Sequence, residues 1–506
     1  MVHGLSMDLF GNLALGLATA VNLENLLYCF AGCLLGTLVG VLPGIGPAAT
    51  IAMLLPATFA LGPAPALIMM AGIYYGAQYG GSTTAILVNL PGEASSVVTT
   101  IDGYQMARQG RGGVALATAA IGSFFAGTVA TLLIALAAPL LADVSLSFGP
   151  AEYFSLMILG LVGSVVLARG SLIKALAMIL VGLLIGIVGT DVNSGARRFA
   201  FGFSELAGGV SLVAVAMGMF GLGEIIQNLQ NQARDGTALF ARITSLMPTR
   251  ADFRAMTPPI LRGTALGSLL GVLPGGGALL SSFAAYSLEK KIARDPSRFG
   301  RGAIEGVAAP EAANNAGAQT SFIPLLTLGI PSNVVMALMA GAMIIHGIQP
   351  GPGVMKSNPS LFFGLIVSMW IGNLMLLILN LPLVGIWVRL VRLPYRFLYP
   401  AIMVFCGIGV FTINGNTFDI YLMALFGVLG YIFAKLDCEP APLLLGMVLG
   451  PLMEEYFRRA LLLARGDPMV FVREPISAVL LGMTVLAVIA VASPSLRSKR
   501  DEALQE

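Results

Sequence analysis

One short motif occurs twice. Residues 36–46 read GTLVGVLPGIG and residues 267–277 read GSLLGVLPGGG, with eight of eleven positions identical at an offset of 231. Each copy begins with Gly-x-x-x-Gly (Gly36 and Gly40; Gly267 and Gly271), which lets two apolar helices approach closely. Each then runs into Pro-Gly-x-Gly (Pro43, Gly44, Gly46; Pro274, Gly275, Gly277). Proline removes a backbone donor and clashes with the preceding turn, and glycine admits positive φ, so a helix is broken there. A weaker match follows: GAQYGGSTTAILVNLPGEASS (76–96) pairs with GAQTSFIPLLTLGIPSNVV (317–335). Gly76-Ala77-Gln78 aligns with Gly317-Ala318-Gln319, and Pro91 with Pro331 after one gap. Such self-similarity divides the chain into two related halves, roughly 1–250 and 251–506.

The solvent for these halves is lipid. Of 506 residues, 57% are hydrophobic and only 10% charged, against about 25% charged in soluble domains. Stretches 114–142, 154–168, 172–189, 206–226, 361–388, 420–434, 441–453 and 476–493 are long and nearly free of charge. A crossing helix needs roughly 20 apolar residues. The chain therefore reads as an all-α polytopic membrane protein with about 11–12 membrane segments, some of them incomplete crossings. The longest polar stretch, 229–257, is too short for a soluble domain. Met1 to Phe10 holds no Lys or Arg, so no cleaved signal peptide is expected.

Broken backbone inside a membrane is tolerated only where protein buries it or it lines a wet cavity. Matching breaks in two halves point to a transporter's binding site. Lys and Arg mark cytoplasmic loops. Arg234, Arg242, Arg250, Arg254 and Arg262 precede the second break, and Lys290, Lys291, Arg294, Arg298 and Arg301 follow it. The arms 260–273 and 278–288 then read as a re-entrant hairpin from the cytoplasmic side, each too short to cross, with its tip near 274–277. From residue 1 to 107 there is no Lys or Arg, so the first hairpin, with its tip near 43–46, is expected to open outside. The halves become inverted-topology repeats whose tips meet near the midplane. Arg108 and Arg111, and Arg497, Lys499 and Arg500, place the 100–112 loop and the C-terminus inside.

Several chemistries lack their residues. Cys29 and Cys33 are spaced four apart on an apolar helix face, unlike a redox C-x-x-C, and Cys406 and Cys438 stand apart. Only His3 and His346 could add nitrogen ligands, so no metal site is expected. Neither a phosphate-cradling Gly-x-x-x-x-Gly-Lys-Ser/Thr loop nor His-Glu-x-x-His occurs. We expect no enzyme, no cofactor and no nucleic-acid partner.

LPGIGP (42–47), YYGAQYGGSTTAIL (74–87), NLPGEASS (89–96) and DGYQMARQG (102–110) resemble the tripartite tricarboxylate transporter permease family, the TctA-type large subunit. In the second half FGRGAIEGVAAPEAANNA (299–316), IPLLTLGIPS (323–332), HGIQPGP (346–352) and EEYFRRALLLARGD (454–467) carry the same resemblance, in order, from about 30 to 480. It implies a multi-pass permease of the bacterial inner membrane. It also implies a TctB-like small membrane subunit and a TctC-like periplasmic solute-binding protein as partners, and uptake of a small carboxylate driven by an ion gradient.

A carboxylate at the midplane needs positive potential, and the repeated motifs hold no Lys or Arg. Half-helix N-termini after Pro43-Gly44, Pro91-Gly92, Pro274-Gly275 and Pro331 would supply it through free N–H groups and the helix dipole. Ser95, Ser96, Ser281, Ser282, Ser332 and Asn333 follow these breaks, as helix caps or as substrate or ion contacts. Glu311, Asn314 and Asn315 share one helix face. Asn314 and Asn315 would bond between helices or coordinate substrate or cation. Glu311 is either a coupling carboxylate or a surface partner of Arg301. Asp102, Glu454, Glu455, Arg458 and Arg459 are expected as boundary ion pairs, with contact to partner subunits as the alternative. The coupling cation, Na+ or H+, is left open. Alternating access is the expected mechanism, with 361–388 and 206–226 as a static frame; a channel-like protein, or an organic anion carrier acting without a binding protein, is the alternative.

Overall fold

The computed structural model describes residues 2–42, 46–89, 91–145, 147–167, 171–191, 194–232, 246–273, 277–390 and 395–492. Pro43, Gly44, Pro274 and Gly275 lie outside the described residues, as do Arg234, Arg242, Arg497, Lys499 and Arg500. Among the described residues the strands are one antiparallel pair, Gly189–Thr190 with Arg197–Arg198, and nearly everything else is helical. Leu23–Val41, Pro359–Asn380, Thr417–Lys435 and the apolar run Ala94–Ala137 are each long and apolar enough to cross a membrane. Pro47–Thr58, Leu172–Gly186 and Val334–Ile345 are apolar but shorter. The protein is an all-α multi-pass membrane protein.

Two helices are buried on all sides and form the middle of the bundle. Pro63–Val88 is buried continuously from Pro65 to Val88, and Glu305–Thr320 from Gly306 to Thr320. Each is clasped by the helix that carries the repeated Gly-x-x-x-Gly. A methyl group on Gly32, Gly36 or Gly40 would lie 3.0, 2.8 or 2.9 Å from the Cα of Met69, Ile73 or Ala77. On Gly263, Gly267 or Gly271 it would lie 3.0, 2.7 or 2.6 Å from the Cα of Ala309, Ala313 or Gly317. These glycines are thus required by close approach of two backbones. The partner residues repeat at a constant offset of 240 (Ile73 to Ala313, Ala77 to Gly317). The sequence alignment of Gly76 with Gly317 is therefore one residue out of register, and the gap it needed disappears.

Three other expectations change. The second hairpin's first arm is longer than read from sequence, because Arg250–Gly271 includes Pro258 and Pro259 within one helix. Its start is set by a capping box, Thr249 with Asp252. At 1.5 Å per residue it measures about 33 Å, but its first five residues carry Arg250, Asp252 and Arg254 and are polar. The stretch 361–388 is divided into Pro359–Asn380 and Val384–Leu390. The stretch 206–226 is divided at residues 209–211, between a 3-10 turn Glu205–Gly208 and a helix that runs from Leu212 through a π turn, Met217–Leu222, into Gly223–Gln232. Gly208 and Gly209 accompany this interruption, so apolarity alone misjudged continuity.

Candidate functional site

The breaks after helices 63–88 and 322–328 are built alike. The first helix is capped by Asn89 at φ 61 and the second by Gly329 at φ 73, both left-handed. Two residues later comes Pro91 or Pro331, which cannot extend a helix. A fresh helical start follows. Glu93 caps the turn Ala94–Ser96 in a reciprocal box with Ser96, and helix 97–106 continues from it. Asn333 caps helix 334–345, its Oδ1 accepting from Met336 N at 3.0 Å. Gly92 is fixed by space: a methyl there would strike the Gly40 carbonyl oxygen and come within 2.7 Å of Gly81 Cα. The other breaks also lead into helices, Pro47–Thr58 after Gly46 and Gly277–Ile292.

Residues of both halves meet here. Ser282 Oγ donates to the Ser95 carbonyl at 2.8 Å. Gly277, at φ 55, abuts Asn333, whose Nδ2 would be 3.4 Å from a methyl on Gly277. Asn333 Nδ2 donates to Ser321 Oγ at 3.1 Å and to Tyr74 Oη at 3.4 Å. Ser332 Oγ reaches the Ser321 carbonyl at 3.3 Å, and Ser281 Oγ the Gly277 carbonyl at 2.7 Å. Ser95 Oγ bonds both Gln78 Oε1, at 2.7 Å, and the Glu93 carboxylate, to which Gln78 Nε2 donates at 3.4 Å.

One turn further along helix 63–88 lies a second polar group. Ser82 Oγ donates to Glu311 Oε2 at 2.5 Å, Thr99 Oγ1 to Glu311 Oε1, and Asn314 Nδ2 to Glu311 Oε2 at 3.4 Å. Asn315 Nδ2 donates to Asn314 Oδ1 at 2.6 Å and to Ser123 Oγ at 2.7 Å. Glu311 is fully buried, so the surface pair with Arg301 is ruled out. The two groups hold two carboxylates, and no Lys or Arg takes part in either among the described residues. Helix starts and amides of this kind can receive an anion, while carboxylate, hydroxyl and amide oxygens can ligate a hard cation or exchange a proton.

Sequence reasoning missed Gln78, Ser82, Glu93, Thr99 and Ser123. Glu93 had a signal: it is one of four acidic residues in the first 107, and Ser96 stands three after it. The others are ordinary helix residues until the partner helix is known.

Asp102 is not a boundary ion-pair residue. It is fully buried. Its Oδ1 accepts from Gly302 N at 2.7 Å and Ala303 N at 2.8 Å, and its Oδ2 from Tyr286 Oη at 2.9 Å. It ties helix 97–106 of the first half to the start of helix 305–320 in the second. The remaining charges do pair. Arg458 bonds Glu454 at 2.6 Å and Asp191 at 3.0 Å, Arg198 bonds Glu454 at 2.7 Å, and Arg459 bonds Glu455 at 2.5 Å. This network fastens helix 440–463 to the strand pair. Outside the membrane segments, partial burial works to raise the Asp252 carboxyl, but the Thr249 N–H and hydroxyl and the Arg111 guanidinium outweigh it and hold it below the usual range.

The sequence model of the tripartite tricarboxylate transporter TctA family matches residues 26–445. The "uncharacterized 52.8 kDa protein in TAR-I ttuC' 3'region" of Agrobacterium vitis is 61% identical over 500 residues, 99% of each chain. An uncharacterized protein in the TAR-II ttuC' 3'region of the same organism is 61% identical over 240 residues, 47% of this chain and 99% of its own. No solved structure matches.

Proposed function

The chain belongs to the tripartite tricarboxylate transporter TctA family, and on that premise we propose that it is the large permease subunit of an ion-coupled importer of small carboxylates. It acts in a bacterial inner membrane with a small membrane subunit and a periplasmic solute-binding protein. The binding protein delivers the carboxylate to the outer face. The substrate then moves to helix starts near the middle of the bundle. Ser95, Ser332, Asn333 and the repeated Pro-Gly segments, Pro43-Gly44, Pro91-Gly92 and Pro274-Gly275, contact substrate or ion there, with Glu311, Asn314 and Asn315 beside them. The two halves enter the membrane with opposite topology, and alternating access exposes the site first outside and then inside.

The observation that carries this reading is the meeting of broken-helix starts from both halves. Ser282 of the second half bonds the backbone of Ser95 in the first, and Asn333 of the second half donates to Tyr74 Oη in the first at 3.4 Å. N–H groups at helix starts favour an anion without any Lys or Arg. Broken helices of this kind are where secondary transporters hold substrate and coupling ion.

The test is reconstitution of the three subunits in proteoliposomes, with labelled carboxylates and imposed sodium or proton gradients. Uptake that needs the binding protein and shows counterflow is the expected result. Pro274→Ala combined with Gly275→Ala is expected to abolish uptake with normal membrane insertion. Near-normal uptake by that double variant, or flux without counterflow, refutes the reading.

A further inference from the structure

Beside Glu311, and away from the helix breaks, a small cavity of about 10 Å³ is lined by Tyr79, Ser82, Thr83, Leu116, Ala119, Ala120, Ser123 and Asn380. It lies between helices 63–88, 112–145 and 359–380. Its size is that of one water molecule or one small ion. We infer that it is a binding site for a single dehydrated sodium ion.

Three observations carry this. First, the polar lining is oxygen. Ser82, Thr83 and Ser123 bring hydroxyls. Tyr79 Oη donates its proton to Asn373 Oδ1 at 2.6 Å, which leaves its lone pairs free. Secondly, one acceptor is orphaned. The Asn380 amide is spent through Nδ2 on Leu376 O at 2.9 Å and Thr37 Oγ1 at 3.3 Å. Its Oδ1 is buried without a partner, a state that costs roughly 1–3 kcal/mol unless a donor or cation satisfies it.

Thirdly, a carboxylate without a cationic partner lies beside the cavity. Ser82, Thr99 and Asn314 all donate to Glu311, which favours its ionised form, while its full burial opposes it. A buried carboxylate without a cation is unfavourable, and no Lys or Arg occurs between residues 302 and 355. Ser82 links the two features, since it both bonds Glu311 and lines the cavity. A sodium ion would take the Asn380 oxygen and hydroxyl oxygens as ligands and balance Glu311 across one hydroxyl. Hydroxyl and amide oxygens are the hard donors such a cation prefers. Because Ser82 and Ser123 belong to the first half while Glu311 belongs to the second, the ion would join the halves. This deepens the transport reading by naming the coupling ion, and it is tested separately from uptake.

The experiment is thermal unfolding of the detergent-purified chain in sodium, potassium and choline chloride at equal ionic strength. Wild type is expected to melt higher in sodium, with a saturable concentration dependence. Asn380→Leu removes the orphaned oxygen at similar volume; it should melt cooperatively in choline and lose the sodium increment. Ser82→Ala and Glu311→Gln should lose it as well, and Ser82→Ala serves if Asn380→Leu does not fold. Identical wild-type melting in the three salts overturns the proposal, as does a full sodium increment in Asn380→Leu. A wild-type response to pH alone, abolished by Glu311→Gln, also overturns it and assigns the position to a proton. A sodium increment in a chain that takes up no carboxylate under any gradient supports the site and removes the transport reading.

Discussion

Replacing Asp102 with alanine is expected to separate the two halves energetically. The carboxylate satisfies three donors: Gly302 N, Ala303 N and Tyr286 Oη, at 2.7, 2.8 and 2.9 Å. Gly302 is half-buried and can recover a water, whereas Ala303 and Tyr286 are buried. Two donors are then left unsatisfied, at about 1–3 kcal/mol each, which puts the loss near 4 kcal/mol. Asp102→Asn keeps one oxygen for the two N–H groups, and its amide can donate to Tyr286 Oη, so the loss falls to about 1–2 kcal/mol. Gly306→Ala should resemble the alanine variant, because the added methyl would strike Asp102 Oδ2. Equilibrium unfolding in mixed detergent and dodecyl sulfate measures all three. Tyr286→Phe should cost about 1 kcal/mol in wild type but stabilise the Asp102→Ala background by about 1–3 kcal/mol, because there it removes an unsatisfied buried donor. An Asp102→Ala variant within about 0.5 kcal/mol of wild type, or equal costs for Tyr286→Phe in both backgrounds, refutes the argument.

Gly267→Ala forces a methyl to within 2.7 Å of Ala313 Cα and should destabilise by about 1–3 kcal/mol, whereas Gly46→Ala, at φ −74 with open space around it, should change stability by less than about 0.5 kcal/mol; unfolding of both variants checks the contrast. Asn333→Ala removes a helix cap worth about 1 kcal/mol, and proteoliposome uptake should fall further than that loss accounts for. Acid titration of unfolding should show the Asp252 contribution fully present above about pH 4, the unfolded carboxylate value, and lost as pH falls through the lower folded value; Asp252→Asn should remove that acid limb. Arg459→Ala breaks a pair whose side chains are 59% and 43% exposed, and its unfolding free energy should move by less than about 1 kcal/mol.

The positions of the helix breaks were legible because proline and left-handed caps act locally. Pro91 and Pro331 mark breaks because each follows a left-handed cap, Asn89 or Gly329, whereas Pro258 and Pro259, without one, lie inside a helix. The clasp of Gly36 and Gly267 was legible for the same reason, since Gly-x-x-x-Gly implies a backbone neighbour. Which backbone, and in what register, was not: Gly76 and Gly317 share a Gly-Ala-Gln triplet, yet packing pairs Ala77 with Gly317. Helix continuity over 206–226 was misread because apolar composition hides the break at Gly208 and Gly209, the latter at φ 92. Asp102 shows the limit most clearly. A carboxylate near a helix end reads as a surface charge until the loop 302–303 from the other half is brought against it.

At Gly36–Ile73 and Gly267–Ala313 the clasps place main chain on main chain, with no side chain between the backbones at those glycines. Sliding one helix past the other normally proceeds by rotamer changes in such a layer. At the clasp glycines there are no rotamers to change, which stiffens each clasped pair into something like a beam. Any large motion of this protein would then hinge at the beam ends and carry both members of a pair together.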